Sequence, residues 1–254
     1  MPQAFAFLNH PYPLAFAHRG AHVGCEENTW AAFAKAVQLG YRYIETDVQA
    51  TRDGVPVLFH DDTLSRVLGI SGGVSAYPWS ELAQMRTPAG EPLLRLEDAL
   101  TDFPRVRFNL DAKFDEAVEP LAEAIRRCNA VKRVCVGSFD VRRTLRVRAL
   151  LGANLCWSPG RGGVGGVWLA GWGLPSSAIE FPVVQVPPNF HAIPVATPRF
   201  VRAAHARGVQ VHVWTIDDEE EMKRLLEIGV DGLMTDQPCI LKRVLEDRGQ
   251  WLPS

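Results

Sequence analysis

The stretch YIETDVQATRDGVPVLFH, residues 43–60, decides the fold. It holds two strand-like runs, YIETDVQ (43–49) and VPVLFH (55–60), separated only by Ala50-Thr51-Arg52-Asp53-Gly54. A parallel crossover needs a dozen residues or more, and Asp-Gly is a hairpin signal, so the second run is expected to fold back antiparallel on the first. Outward from this hairpin the chain alternates strand-like and helical runs. The other strand candidates are LAFAH (14–18), VRFNLDA (106–112), RVCVGSF (133–139), NLCWS (154–158), VVQVP (183–187), VQVHVWT (209–215) and DGLMTD (231–236). Helical runs lie at Thr29–Leu39, with Asn28 as its expected cap and Gly40 as its stop, and at 116–128, 141–151, 198–207 and 219–228. Such alternation implies a parallel sheet covered by helices. Setting the hairpin arm aside, eight parallel strands remain, which fits a TIM (β/α)8 barrel with a small cap insertion after the β-hairpin arm. A doubly wound sheet is the weaker alternative, because no Gly-x-Gly-x-x-Gly follows a strand.

Residues 61–105 interrupt the rhythm with Gly72-Gly73, Pro78, Pro88 and Pro92, and read as a small cap within one domain spanning 1–254. The Gly-rich run SPGRGGVGG (158–166) lacks the Gly-Lys-Ser/Thr ending of a phosphate loop and reads as a plain flexible loop.

Composition narrows the function classes. The 254 residues are 47 % hydrophobic and 22 % charged, neither disordered nor a membrane bundle. A net charge of −2 gives no broad cationic field for nucleic acid, and Arg142, Arg143, Arg146 and Arg148 read as a solvated helix face. The odd, dispersed set Cys25, Cys128, Cys135, Cys156 and Cys239 has no Cys-x-x-Cys and reads as buried reduced thiols. The N-terminus lacks the pattern of a signal peptide and no run is long enough to span a membrane, so a cytoplasmic protein without stable membrane insertion is expected.

Barrel active sites sit at the C-terminal ends of the strands. There the sequence places His18-Arg19, Glu45 and Asp47 on one strand face, His60-Asp61, Asn109, Asp111 and Lys113, Ser138, Gln185, Trp214 and Asp236. A single strand-end histidine or carboxylate is an ordinary structural group. Three inward carboxylates together carry a large desolvation cost unless a cation lies among them. Oxygen ligands alone (Glu45, Asp47, Asp111) favour Mg²⁺ or Ca²⁺ over zinc. With two histidines, and with Arg19 and Lys113 suited to phosphate, the set describes a phosphoester-cleaving site.

The run AHRGAHVGCEENTWAAFAKAVQLGYRYIETDVQATRDGVPVLFHDDTLSRV (17–67) resembles the N-terminal signature of the glycerophosphodiester phosphodiesterase family, within the phospholipase C-like phosphodiesterase superfamily. The likeness continues through FNLDAK, VGSFD and VHVWTIDDEEEMKRLLEIGVDGLMTDQP. It implies metal-dependent hydrolysis of glycerophosphodiesters to glycerol 3-phosphate and an alcohol, in lipid and glycerol metabolism. His18 and His60 match the family's acid/base pair, Glu45 and Asp47 two metal ligands and Arg19 a phosphate ligand, with Lys113 beside the substrate. Trp214, in the VHVWT run, is expected on the same substrate side. Two departures stand out: Asp111 occupies the place of the family's usual glutamate, and Asp217 that of an asparagine, where it could alter the preferred head group. The alternatives are a lysophospholipase D-type reaction and a non-catalytic phosphoester-binding barrel. Retention of both histidines disfavours the latter.

Overall fold

Period-two alternation in the strands builds a barrel with a filled interior. The computed structural model describes residues 5–175 and 180–252. Its strands are β1 (Leu14–His18), β2 (Tyr43–Ala50), β3 (Pro56–Leu58), β4 (Arg107–Ala112), β5 (Val134–Gly137), β6 (Cys156–Trp157), β7 (Val183–Val186), β8 (Asn189–Phe190), β9 (Ile193–Pro194), β10 (Gln210–Val213) and β11 (Gly232–Thr235). The parallel order is β6-β5-β4-β2-β1-β11-β10-β7, with β3 antiparallel on the edge of β2, as the short Asp53-Gly54 connection requires. The barrel is nearly closed: β6 and β7 end the series, and the backbone N–H of Gln185 bridges the gap by donating to Ser158 Oγ at 3.2 Å.

The helices are α1 (Trp30–Gln38), α2 (Ser65–Leu68), α3 (Trp79–Leu82), α4 (Leu96–Asp102), α5 (Val118–Arg127), α6 (Val141–Leu151), α7 (Arg161–Gly171), α8 (Pro198–His205), α9 (Glu219–Glu227) and α10 (Pro238–Asp247). Outward residues such as Ala15, Ala17, Ile44 and Val48 pack beneath this helical ring. Inward residues Leu14, Phe16, Tyr43, Val183 and Met234 fill the lower barrel with Phe7, whose carbonyl accepts from the Tyr43 hydroxyl at 2.9 Å. Apart from His212, which is fully buried against Phe16, this apolar floor leaves the ionisable inward side chains toward the opposite end, and so positions the site.

Within 61–105, Leu64, Val74, Leu82 and Leu93 form a satellite core with Val57 and Phe59, against which Val67, Leu68, Ile70, Tyr77 and Trp79 pack; α4 belongs to the barrel's own core. Three arginines of α6 form an ion-paired face, with Arg142 on Asp140, Arg143 on Asp115 and Arg146 on Glu119, whereas Arg148 is half-buried over the Trp157 ring at 5.2 Å and not part of a solvated face. All five cysteines are free; Cys135 and Cys156 are buried, but Cys239 is exposed.

Two local expectations are corrected. The cap of α1 is Thr29, whose Oγ1 accepts from the Ala32 N–H at 3.2 Å, while Asn28 adopts a left-handed backbone (φ 57°) and accepts from Thr46 Oγ1 at 2.7 Å. The run 158–166 is not a flexible loop, since α7 begins at Arg161. Glycine disfavours helix by about 1 kcal/mol per residue, yet here it fits the space available. A Cβ on Gly163 would lie 2.5 Å from Pro159 Cβ and 2.9 Å from the Phe181 ring. Tertiary packing overrides local propensity at that position.

Candidate active site

Strand register sets the height of each functional group. His18 lies level with Glu45, Glu45 with Asn109, and Asp47 with Asp111. His18 ends β1, while Glu45, Asp47, Asn109 and Asp111 lie within β2 and β4 on the inward face of the barrel. At the level of Glu45, Gln185 Nε2 donates to Asn109 Oδ1 at 2.6 Å, a polar pair above the apolar floor.

His18 is bracketed by acids. Its Nδ1 donates to Asp236 Oδ1 at 2.6 Å, and its Nε2 lies 3.5 Å from Glu45 Oε2. Burial favours the neutral imidazole, but Glu45 and Asp236 outweigh it and raise the pKa above its ordinary value. Asp236 also accepts from His22 Nε2 at 2.9 Å. Burial would raise that carboxyl, yet the two histidine contacts hold it well below the usual carboxylate range.

Around His60 a chain of alternating charges ties the cap to the barrel. His60 Nδ1 donates to Asp61 Oδ1 at 2.9 Å, and Arg66 grips the same carboxylate through Nε at 2.5 Å and a second nitrogen at 2.9 Å. The Arg66 bonds, aided by His60, hold Asp61 well below the usual range. Arg66 also reaches Glu27 at 2.6 Å, which accepts from Arg19 at 3.1 Å. Arg19 Nε lies 3.6 Å from Asp47, and Lys113 Nζ pairs with the other Asp47 oxygen at 3.2 Å. Arg19 therefore touches both Glu27 and Asp47, and Lys113 answers Asp47 and not its strand neighbour Asp111. The loop that aims Arg19 is pinned: its backbone is left-handed (φ 55°) and its carbonyl accepts from the Asn28 N–H at 3.0 Å. Only glycine fits next, because a Cβ on Gly20 (φ 88°) would meet Ala32 Cβ at 2.8 Å.

The carboxylates are not fully satisfied by these partners. Glu45 Oε2, Asp47 Oδ2 and Asp111 Oδ1 are each buried without a hydrogen-bond donor. Burial pushes the Glu45 carboxyl up; His18 opposes the shift, and Asp47 and Asp111 reinforce it. Burial, then the charge of Asp47, raises Asp111 to about 7. Among the described residues no three His, Cys, Asp or Glu side chains already converge into a metal cage. Three orphaned oxygens on β2 and β4, with Lys113 paired to Asp47 and Arg19 shared between Asp47 and Glu27, are nonetheless a donor set that suits a hard divalent cation. Trp214, directly after β10, packs against the inner barrel cluster and is edge-on to Phe139 with ring centroids 5.7 Å apart.

His18, Arg19, Glu45, Asp47, Asp111 and Lys113 thus meet at one mouth, with His60 held at its rim by the cap. Asp236, a strand-end carboxylate in the sequence, emerges as the partner of His18. His22 and Arg66 are invisible as site residues in the sequence, because their spacing carries no signal until the loops fold. Asp217 accepts from Thr235 Oγ1 at 3.0 Å and from the Asp236 N–H at 2.8 Å, so it fixes the strand end that carries Asp236.

A parallel (β/α)8 barrel that gathers histidines, carboxylates, arginine and lysine at the C-terminal rim is the architecture of a phosphoric diester hydrolase. The model of the glycerophosphoryl diester phosphodiesterase family matches residues 18–157 and 172–240. The chain is 42 % identical to the probable glycerophosphodiester phosphodiesterase 2 of Mycobacterium tuberculosis, over 96 % of this chain and 95 % of that one. Its fold is similar to a glycerophosphoryl diester phosphodiesterase structure from Silicibacter pomeroyi, with a TM-score of 0.80 at 24 % identity, covering 98 % of this chain and 100 % of that one. It is similar also to an Oleispira antarctica phosphodiesterase solved with the product sn-glycerol-3-phosphate, with a TM-score of 0.78 at 22 % identity over 92 % and 97 % of the two chains. The chain belongs to the glycerophosphoryl diester phosphodiesterase family. No helix among the described residues is long and apolar enough to cross a membrane.

Proposed function

We propose that the protein hydrolyses glycerophosphodiesters to glycerol 3-phosphate and an alcohol, as part of lipid and glycerol metabolism, with Mg²⁺ or Ca²⁺ held by Glu45, Asp47 and Asp111. The observation that carries this reading is the trio of buried carboxylate oxygens lacking donors, set between His18 and the Arg19–Lys113 pair. When bound, the ion would offset the carboxylate charge and polarise the phosphoryl oxygens.

The chain's own groups do the rest. Arg19, already aimed by its strained loop, offers its guanidinium fork to the phosphoryl oxygens, and Lys113 adds a point charge. One of His18 and His60 removes a proton from the attacking water or glycerol hydroxyl, and the other returns one to the leaving oxygen; attack by the hydroxyl gives a cyclic phosphate, which a water then opens to glycerol 3-phosphate with the two rings exchanging roles. Asp236 and Asp61 orient the two rings through their Nδ1 atoms. Trp214 flanks the substrate opposite the carboxylates. The five free cysteines support a cytoplasmic setting. A panel of glycerophosphodiesters assayed before and after chelation tests the scheme. Turnover that survives chelation overturns the metal assignment, and no turnover on any diester with added Mg²⁺ or Ca²⁺ overturns the function.

A second reading, cleavage of lysophospholipids in phospholipase D fashion, is favoured by Phe139, which is 61 % exposed beside Trp214 and gives the mouth an apolar side. Parallel rates on glycerophosphocholine and lysophosphatidylcholine separate the two readings.

A further inference from the structure

Charge is distributed unevenly along this chain. Between Asp140 and Asp217, residues 141–216 contain eight arginines and a single acid, Glu180, although the whole protein carries a net charge of −2. The arginines at the start of α6 are neutralised by carboxylates outside this stretch. Arg161, Arg199, Arg202 and Arg207 are different: they are exposed, and none has a carboxylate partner among the described residues.

Large apolar side chains stand among these free cations. In the small hairpin formed by β8 and β9, Phe190 is 44 % and Ile193 51 % exposed, and the Arg161 guanidinium lies over the Phe190 ring at 5.7 Å. At the far end of α7, Trp172 is 57 % exposed and stacks under Arg199 at 3.9 Å. A groove of about 570 Å³ runs between this end of α7 and α8, walled by Trp172, Arg199, Arg202 and Arg207. Helix α7 links the two patches, with Arg161 at its start and Trp172 just beyond its end. The hairpin follows β7 directly, and Gln185 of β7 reaches Asn109 under the active site, so the hairpin end of this surface adjoins the mouth.

We infer that the surface formed by the β8–β9 hairpin, α7 and α8 docks on an anionic lipid surface. Exposed aromatic and aliphatic side chains interleaved with unpaired arginines match the boundary between acyl chains and anionic headgroups. A hydrophilic polyanion such as nucleic acid would use the arginines but leave Phe190, Ile193 and Trp172 wetted. The contact is peripheral, needs no spanning helix, and stands apart from the catalytic reading.

Co-sedimentation of the full-length protein with vesicles tests it, using phosphatidylcholine alone against phosphatidylcholine mixed with phosphatidylglycerol. The anionic vesicles should bind at least about tenfold more tightly, and added salt should weaken that binding. Replacing both Arg199→Gln and Arg202→Gln should cost about tenfold or more, since each basic residue near such a surface contributes about fivefold. Replacing both Phe190→Ser and Ile193→Ser should cost a similar factor, while hydrolysis of soluble glycerophosphocholine stays unchanged. Equal binding to both vesicle types, wild-type binding by either double variant, or tighter binding to a short DNA duplex than to anionic vesicles would overturn the inference. Because binding is read without substrate, an inactive but vesicle-bound protein sinks only the proposed function. An active protein that ignores vesicles sinks only the docking surface.

Discussion

His18 and His60 face the same mouth, but different parts of the molecule hold them. His18 is the last residue of a central strand, with 15 % of its side chain exposed, and its partners Glu45 and Asp236 sit on adjacent barrel strands or immediately after them. His60 lies beyond the short hairpin arm, 34 % exposed, and its partner Asp61 is gripped by Arg66 of the cap. Strand register therefore fixes the first histidine, and the docking of the cap fixes the second. The charges around them differ as well: among the described residues no arginine or lysine pairs with Asp236, whereas Arg66 offsets the charge of Asp61. One side of the site is preformed; the other is assembled by a chain of ion pairs.

The largest expected effect comes from removing either ring. His18→Ala and His60→Ala should each lower kcat/KM by about 10²- to 10⁴-fold, the usual range for a positioned acid or base. Calorimetry should show Mg²⁺ or Ca²⁺ binding unchanged in His60→Ala, since none of the orphaned oxygens contacts that ring. Near-normal turnover in either variant would end its assignment to proton transfer.

The preformed side is probed next through Asp111. Asp111→Asn removes a formal charge from the trio and should weaken Mg²⁺ and Ca²⁺ by at least about tenfold in a calorimetric titration. Asp111→Glu retains the charge and should stay closer to wild type. Equal affinity in Asp111→Asn would mean that its buried oxygen does not ligate the ion.

The assembled side responds to Arg66. Arg66→Ala frees Asp61 and Glu27 and unfastens the cap from the barrel, so kcat/KM should fall by about tenfold through misplacement of His60. Stability should barely move, because exposed ion pairs contribute about 0–1 kcal/mol. A melting temperature that drops while kcat/KM holds would reverse the reading and make the Arg66 clamp structural.

The same contrast explains what could be read from the sequence. Strand and helix periodicity, the Asp53-Gly54 turn, the strand-end position of His18 and the alternating positions of Glu45, Asp47 and Asp111 are local patterns, and the barrel and its inward carboxylates follow from them. The partnership of His18 with Asp236 spans 218 residues and depends on β1 lying beside β11, which no local pattern encodes. Arg66 looks like any exposed helix arginine until the cap folds over Glu27. At 158–166 the local signal pointed the wrong way: glycine content suggests a loop, but close contact with Pro159 and Phe181 makes glycine the residue a helix needs there. Asn28 and Thr29 are both good caps, and the bond from Thr46 that occupies Asn28 comes from β2, beyond the helix.

The smallest expected effect is the most diagnostic of how His18 is held. The His18 pKa is raised from 6.5, so its favourable interaction is fully present below pH 6.5 and is lost as pH rises through the higher folded value. The Asp236 pKa is lowered from 3.8, so its contribution is present above pH 3.8 and is lost as pH falls through the lower folded value. Both conditions hold only between those two ordinary values. Asp236→Asn should therefore lower the melting temperature most near pH 5, by about 2–4 °C for each kcal/mol lost, with the pair worth about 1 kcal/mol at its partial exposure. The gap from wild type should narrow on acidification, and again above neutral pH. A gap that is constant with pH would show that Asp236 supports His18 as a neutral hydrogen-bond acceptor. In that case the charge of Glu45 alone would hold the imidazole proton.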